Sequence, residues 1–245
     1  MIGFYDSGIG GLTILNQVLE LTPRLDTYYY ADNKNCPLGE KSLEEIQAIV
    51  VNSVEYLFDQ GCDLVVLACN TATAASIKYI QQQWLPKHYP NKNVLGVIRP
   101  VILGLIEEGI DPTAKVVIMA TPATVATSFY TLDLKDYNYN NVYEISMSGL
   151  AIAIETKDNQ KAQRLIDQAF EANKEHLAKA SALVLACTHY PYQLEYFKSK
   201  LNSISNPDCI VNVQNSIVAE QLIKYLDKHK QYGKYNDQHQ YYNSR

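Results

Sequence analysis

The feature that most constrains this chain is a short apolar motif that occurs twice. Residues 64–76 read LVVLACNTATAAS and residues 183–192 read LVLACTHYPY, so both contain Val-Leu-Ala-Cys followed by polar residues. A continuous valine-rich run of this length is typical of a strand that is buried on both faces of a parallel sheet. Because ligands bind at the carboxyl ends of such strands, we expect Cys69 and Cys187 at the mouth of a crevice.

Composition limits the classes of protein to which the chain can belong. With 245 residues and 47% hydrophobic content, it is long enough for two domains of ordinary size. Its 21 basic and 26 acidic residues give a net charge of −5 without a Lys/Arg cluster, so no nucleic-acid partner is expected. No apolar run approaches the roughly 20 residues of a membrane span, so no membrane partner is expected. The residues MIGFYDSG lack the features of an export signal, and we therefore predict a cytoplasmic protein.

The cysteines do not form a recognisable framework. There are five of them and none has CxxC spacing, which argues against a disulfide scaffold and against a zinc site. We interpret Cys36 as a partly exposed residue without a role, and Cys62 and Cys209 as structural. The reduced thiols of Cys69 and Cys187 remain as candidates for chemistry.

Two polar loops follow the first two predicted strands, residues 2–5 and 27–31. The first loop, Asp6-Ser7-Gly8-Ile9-Gly10-Gly11, precedes a predicted helix over residues 12–21. Its glycines let an anion approach the backbone amides at the helix N-terminus, although Asp6 and Ser7 can equally serve only as caps. The second loop, residues 32–41, reads DNKNCPLGEK and precedes a Ser42–Glu45 capping-box pattern that opens the next helix.

The rest of the chain alternates between strands and helices, which predicts an α/β fold. Further strands are expected at 94–98, 115–120, 142–146 and 209–213, and further helices at 43–60, 71–84, 160–180, 191–201 and 216–228. We expect Pro86 to end the helix over 71–84, and Thr121-Pro122 to open another helix. The tail over 229–245 has no periodic pattern and is expected to be loosely ordered.

The chain is predicted to form two domains. We place the crossing between them at Arg99-Pro100 and expect the strand over 209–213 to return to the first sheet. Residues 1–98 plus 207–245 then form a discontinuous first domain that supplies Cys69, and residues 99–206 form a second domain that supplies Cys187.

Two facing thiols suit the removal and return of a proton at a carbon atom. One base cannot reach both faces of a bound substrate, whereas two flanking acid-base groups can. A thiolate is a competent base and a thiol a competent acid, with a pKa that neighbours can move. Asp6 and His189 are the candidate helpers, and Asn70-Thr71 and Thr188 supply amide and hydroxyl groups. The alternative reading is that both thiols only pack in the core, as buried cysteines often do.

Five segments of the chain resemble the glutamate racemases of the cofactor-independent aspartate/glutamate racemase superfamily. They are FYDSGIGGL at 4–12, DNKNCPLGEKS at 32–42, ACNTATAA at 68–75, ATPATVATSFY at 120–130 and ACTHYP at 186–191. They occur in the family order over nearly the whole chain, and together they are highly specific.

The resemblance implies a fold, a reaction and a set of residues. The fold would be two flavodoxin-like α/β domains with parallel sheets, related by pseudo-twofold symmetry, with the active site between them. The reaction would interconvert L- and D-glutamate without a cofactor and supply D-glutamate for peptidoglycan, in a protein that is often a homodimer. The implied catalytic residues are Cys69, Cys187, Asp6, His189 and Glu155, and the implied substrate-binding residues are Asp6, Ser7, Leu38, Gly39, Asn70, Thr71, Thr121, Thr124, Thr188 and His189.

The sequence departs from the family at Leu38, where the loop usually reads Pro-Tyr-Gly. This leaves a racemase of aspartate or of another acidic amino acid as the nearest alternative. A non-catalytic small-molecule binder on the same fold is the alternative of another class, and its signature would be the loss of one cysteine. A thiol redox protein would require closely spaced cysteines, and a pyridoxal phosphate enzyme would require a suitably placed lysine.

Overall fold

The computed structural model describes residues 1–244, and its strands form two sheets. The strands are β1 (Ile2–Asp6), β2 (Thr27–Ala31), β3 (Leu64–Leu67), β4 (Asn93–Gly96), β5 (Val116–Ala120), β6 (Val142–Ser146), β7 (Ala182–Ala186), β8 (Ile210–Asn212) and β9 (His239–Asn243). The first sheet has the order β4-β3-β1-β2-β9 and the second the order β6-β5-β7-β8. Every pairing in both sheets is parallel.

The two sheets share one strand order. In the first sheet β1 lies between β2 and β3, and in the second sheet β5 lies between β6 and β7. This arrangement is that of flavodoxin-like sheets, in which ligands bind at the carboxyl ends of the strands. Strands β3 and β7 occupy equivalent positions, and a cysteine follows each of them within two residues. The predicted fold class, with two parallel-sheet α/β units, is confirmed.

Helices connect the strands, as parallel pairing requires. They are α1 (Leu12–Leu21), α2 (Leu43–Asp59), α3 (Asn70–Tyr79), α4 (Leu85–His88), α5 (Ile98–Glu107), α6 (Pro122–Ala126), α7 (Phe129–Lys135), α8 (Leu150–Glu155), α9 (Asn159–Ala172), α10 (Lys174–Ala178), α11 (Leu194–Ser203) and α12 (Gln214–Lys228). Short 3₁₀ turns lie at Asn33–Asn35, Leu38–Glu40 and Tyr190–Gln193. The predicted capping box is present, since Ser42 accepts from the Glu45 amide and Glu45 from the Ser42 amide.

Apolar side chains form three buried clusters that fix the layers of the molecule. One cluster contains residues from both sheets together with α1, α5 and α12, such as Phe4, Val101, Ile118 and Val218. A second cluster covers the other face of the first sheet with α2 and α3, and a third covers the other face of the second sheet with α8, α9 and α11. The shared cluster holds the two sheets against each other.

The predicted position of the strand over 209–213 is wrong. Strand β8 pairs with β7 in the second sheet, and the strand that completes the edge of the first sheet is β9. Residues 239–243, which were expected to be loosely ordered, therefore form a strand. Their side chains are exposed, so backbone pairing with β2 orders them without the burial that makes a strand visible in sequence. The division into two domains at the stated residues stays a prediction.

Three other boundaries differ from the prediction. The helix after Cys69 does not end before Pro86, because a π-helical turn over Ile80–Trp84 leads into α4, where Pro86 lies at the N-terminus and its missing N–H is tolerated. Strand β4 ends at Gly96, so Arg99-Pro100 lies within the first turn of α5. The long helix expected over 160–180 is divided at Asn173, whose side-chain amide donates to the carbonyl of Ala169.

Within residues 1–244, no helix has both the length and the apolar character that are needed to cross a membrane.

The central position of β7 predicts a large effect of truncating its side chains. Leu185 is fully buried, so Leu185→Ala leaves a cavity and should lower the free energy of unfolding by about 2–5 kcal/mol. The matched control is Leu132→Ala in α7, where the side chain is 51% exposed, and its effect should stay within about 0.5 kcal/mol. Urea denaturation followed by circular dichroism measures both, and equal effects of the two variants would contradict the placement of β7 in the core.

Candidate active site

The two cysteines lie at the ends of equivalent strands. Cys69 follows β3 as the N-cap residue of α3, and Cys187 directly follows β7. Each residue is 6% exposed. The amide of Ala72, in the first turn of α3, donates to Cys69 Sγ, and Ser7 Oγ lies 3.7 Å from the same sulfur. The first thiol therefore has polar partners on a helix N-terminus and on the loop after β1.

Asp6 connects the first sheet to the loop that carries the second thiol. Its Oδ2 accepts from the amides of Gly8 (3.2 Å) and Gly11 (3.1 Å), and its Oδ1 accepts from Thr188 Oγ1 at 3.4 Å. Burial raises the pKa of Asp6, opposed by the charge of His189 and by the two amides. The carboxyl group is fully buried and lies between the two halves of the site.

The charges of the site act on Cys69. Burial raises the pKa of the Cys69 thiol to about 12, and the negative charges of Asp6 and of a Cys187 thiolate add to this increase. Cys69 is therefore a thiol at neutral pH and is suited to donate a proton.

His189 and Glu155 form a hydrogen-bonded pair beside the second thiol. His189 Nδ1 lies 3.7 Å from Cys187 Sγ, and His189 Nε2 forms a short ion-paired hydrogen bond with Glu155 Oε2. Burial lowers the pKa of His189, but the hydrogen bonds with Cys187 and Glu155 outweigh it and hold the pKa well above 6.5. The hydrogen bond from His189 lowers the pKa of Glu155, and the Ile9 amide also donates to this carboxylate. His189 is therefore an imidazolium that can donate to the sulfur.

Hydroxyl groups from both halves meet beside Cys69. Thr71 and Thr121 are 2.9 Å apart between their Oγ1 atoms, Thr121 and Thr124 are also 2.9 Å apart, and Thr124 donates to Thr71 at 3.3 Å. Thr71 belongs to α3 and the other two to the start of α6. The three residues, which we call the threonine cluster, are buried and contact one another directly.

The loop over 32–41 reaches the same place. Leu38 is 1% exposed and belongs to the buried cluster on the first sheet, so its side chain packs in the interior. Gly39 lies against Thr121, and a Cβ atom at this position would come within 2.6 Å of Thr121 Cβ. Only glycine allows the backbone to approach the threonine cluster so closely.

The contacts described above include the candidate catalytic and substrate-binding residues or their direct neighbours in the chain. Thr188 and His189 also lie against the glycine loop, where a Cβ at Gly10 would come within 2.5 Å of Thr188 Oγ1. No group of three or more His, Cys, Asp or Glu side chains in the described part of the chain is arranged to hold a metal ion.

Sequence reasoning missed two contributors, Tyr130 and Gln214. Tyr130 donates to Asn70 Oδ1 at 2.6 Å, and Asn70 Nδ2 donates to Gln214 Oε1 at 2.8 Å, so Asn70 is held from two sides. Tyr130 ends one of the motifs, but nothing in the sequence indicates that Gln214 would reach the site. Burial, and after it the charges of Glu155, Asp6 and Cys187, raises the pKa of the Cys36 thiol to about 12.

The Glu155–His189 pair predicts a pH dependence of stability. The raised pKa of His189 contributes stability below its ordinary value of 6.5 and loses it as pH rises through the higher folded value. The lowered pKa of Glu155 contributes stability above its ordinary value of 4.5 and loses it as pH falls through the lower folded value. Glu155→Gln should therefore lower Tm most between pH 4.5 and 6.5, with a smaller difference on either side.

Thermal denaturation across pH 3–9, about the range over which these side chains titrate, measures this difference. Glu195→Gln is the control, because Glu195 forms an exposed ion pair with Lys198 and its side chain is 85% exposed. A Tm difference for Glu155→Gln that does not vary with pH would contradict the ion pair.

Comparison with known proteins agrees with this geometry. The family model described as Asp/Glu/Hydantoin racemase matches residues 11–207. A glutamate racemase of Dinoroseobacter shibae is 36% identical over 237 residues, which cover 93% of this chain and 84% of that protein. A glutamate racemase of Paracoccus denitrificans is also 36% identical, with 93% and 85% of the two chains covered.

Solved structures show the same fold. The crystal structure of a glutamate racemase isoform from Bacillus anthracis matches with a TM-score of 0.85 and 28% identity, covering 100% of this chain and 88% of that chain. A glutamate racemase from Francisella tularensis, solved in complex with D-glutamate, matches with a TM-score of 0.83 and 26% identity over the same shares of the two chains. The chain thus belongs to the Asp/Glu/hydantoin racemase family, and it is an isomerase of the amino-acid racemase type.

Proposed function

We propose that this protein interconverts L- and D-glutamate without a cofactor, with Cys69 and Cys187 as the two acid-base groups. The observation that carries the proposal is the placement of each thiol at the end of an equivalent strand, with its own polar helper. Asp6 and Ser7 lie by Cys69, and His189 with Glu155 lies by Cys187. The names of the similar proteins support glutamate as the substrate.

In the proposed reaction, a thiolate on one face of the substrate removes the α-proton and a thiol on the other face donates one. The C–H bond on the first face breaks, its electron pair stays on the α-carbon, and a new C–H bond forms on the second face. The first sulfur ends as a thiol and the second as a thiolate, so the reverse reaction begins from the product state. Asp6 assists Cys69 as it exchanges its proton, and His189, held by Glu155, assists Cys187.

Polar groups around the thiols would hold the carboxylates and the amino group of the substrate. We assign this role to Ser7, Asn70, Thr188 and the threonine cluster, whose contacts include hydrogen bonds from one half of the molecule to the other. Leu38 and Gly39 would contribute through the backbone, since the Leu38 side chain packs in the interior. Replacement of the usual tyrosine then costs little in recognition, so this departure from the family pattern does not argue against glutamate as the substrate.

The cellular role follows from the same proposal. The product D-glutamate would supply peptidoglycan synthesis, and the protein would act in the cytoplasm as a homodimer. The resemblance of the five sequence segments supports these statements, and sedimentation velocity of the purified protein tests the dimer.

The reaction predicts solvent exchange at the α-carbon. Purified protein incubated without cofactor in deuterium oxide with L-glutamate should form D-glutamate that carries α-deuterium, because the donated proton comes from the second thiol. Chiral chromatography with mass spectrometry measures this product, and parallel incubations with L- and D-aspartate test the neighbouring substrate. Retained optical purity of glutamate, or faster turnover of aspartate, would contradict the proposed substrate.

The two thiols should have separable roles. Cys69→Ser or Cys187→Ser should lower the racemisation kcat by at least about 100-fold, since positioned acid-base groups contribute roughly that much or more. Each variant keeps one competent thiol, which can still remove and return a proton on a single face. We therefore expect residual α-hydrogen exchange without racemisation in opposite enantiomers for the two variants, measured by proton NMR.

Cys209→Ser is the matched control, because Cys209 is also buried but lies beside β8, away from the site. It should keep the wild-type rate. Full activity of either active-site variant, or exchange of the same enantiomer in both, would contradict the two-thiol assignment.

A further inference from the structure

Strand β9 ends at a buried serine next to the loop over 32–41. Ser244 follows β9 directly and is 7% exposed, whereas the five residues of the strand are exposed. We call residues 239–244 the β9 strap, since they lie along the edge of the first sheet beside β2. The burial of one polar residue after an exposed strand indicates that its hydroxyl has a specific partner.

Ser244 uses its hydroxyl and its amide to hold the start of the loop. Its Oγ donates to Asp32 Oδ1 at 2.7 Å and accepts from the Lys34 amide at 3.0 Å. Its own amide donates to the carbonyl of Ala31 at 3.0 Å. The residue therefore contacts the end of β2, the first residue of the loop and the first 3₁₀ turn.

Asp32 connects Ser244 to the end of β1 at the active site. It is fully buried, and its Oδ2 accepts from Tyr5 (3.2 Å) and from Asn35 Nδ2 (2.8 Å). The Asp32 amide donates to the carbonyl of Asp6 at 2.9 Å. Hence the strap, the loop over 32–41 and the end of β1 are joined through one carboxylate.

The far end of the loop is held by the second half of the molecule. Glu40 Oε1 accepts from Ser148 Oγ (3.1 Å) and from the Gly149 amide (3.0 Å). Leu38 and Gly39 lie between these two attachments, with Gly39 against Thr121. The strap therefore holds the N-terminal end of the loop over 32–41, in which Leu38 and Gly39 approach the threonine cluster.

A second contact links the strap to the glycine loop. Tyr241 stacks on Tyr29, with ring centroids 5.7 Å apart and an angle of 2° between the planes. The Tyr29 hydroxyl donates to the carbonyl of Gly8 at 3.0 Å. Both polar loops of the site therefore depend on side chains of the same edge strand.

From these contacts we propose that Ser244 is a positioning residue of the racemase, which orders the loop over 32–41 through Asp32 so that Leu38 and Gly39 meet the substrate. This inference rests on the proposed function, but its structural part does not. Ser244 touches neither thiol and takes no part in proton transfer. Its loss weakens substrate binding and leaves the chemical step nearly unchanged.

The test compares Ser244→Ala with Asn243→Ala, an exposed neighbour on the same strap. We expect Ser244→Ala to raise KM for both glutamate enantiomers about 3- to 10-fold, since a lost buried hydrogen bond has an effect of roughly this size. The value of kcat should change less than about twofold, and Ser244→Thr, which keeps the hydroxyl, should restore KM. Asn243→Ala should match the wild type.

Hydrogen–deuterium exchange gives a readout that does not need activity. The amides of residues 33–41 should exchange faster in Ser244→Ala than in Asn243→Ala, with no change in α9, which lies on the far side of the second sheet. Unchanged exchange in this loop, or a KM equal to that of the control while the wild type is active, would overturn the inference. A wild type that does not racemise glutamate would instead refute the proposed function, and the exchange experiment would still decide the role of Ser244 in ordering the loop.

Discussion

The arrangement of the site depends on the hydrogen bonds that the buried Asp6 carboxylate accepts. A carboxylate without water is costly unless hydrogen bonds replace its hydration. Here two backbone amides of the glycine loop and the Thr188 hydroxyl supply them, and the hydroxyl comes from the other sheet. The same interactions that satisfy the charge therefore fix the glycine loop, align the ends of β1 and β7, and bring the segment after Cys187 against the first half of the molecule.

In the second half of the site, an ion pair compensates the buried charges. Glu155 and His189 are both largely buried, and removal of one partner leaves the other charge without compensation. The imidazolium also contacts Cys187 Sγ. Its positive charge therefore stabilises the fold through Glu155 and also lies beside the reactive sulfur. The two thiols thus have different surroundings, a carboxyl group and a hydroxyl on one side and a cation on the other, although they end equivalent strands.

Much of this could be predicted from sequence because it depends on local patterns. The limits of α1, β2 and β6 agree with the sequence pattern, and the repeated Val-Leu-Ala-Cys motif indicated two equivalent strands. Asp6 and His189 were identifiable because each lies within a few residues of a strand end.

Strand β8 was assigned to the wrong sheet. Its three residues are recognisable as a strand, but they do not indicate which strand they pair with, and tertiary packing determines the pairing with β7. Strand β9 was missed because exposed residues carry no burial pattern. Tyr130 and Gln214 reach Asn70 from distant parts of the chain, and only the folded structure reveals such contacts.

The threonine cluster has a consequence for the joint between the two halves of the molecule. Its three hydroxyls join α3 of the first half to α6 of the second by hydrogen bonds, beside the buried apolar cluster that includes Ala72 and Ala123. Water can replace each of these hydrogen bonds, so they add little net free energy, and the apolar cluster shared by both sheets contributes most of what holds the two halves together. Because hydrogen bonds are directional, the cluster determines how α3 and α6 are oriented more than how firmly they are held.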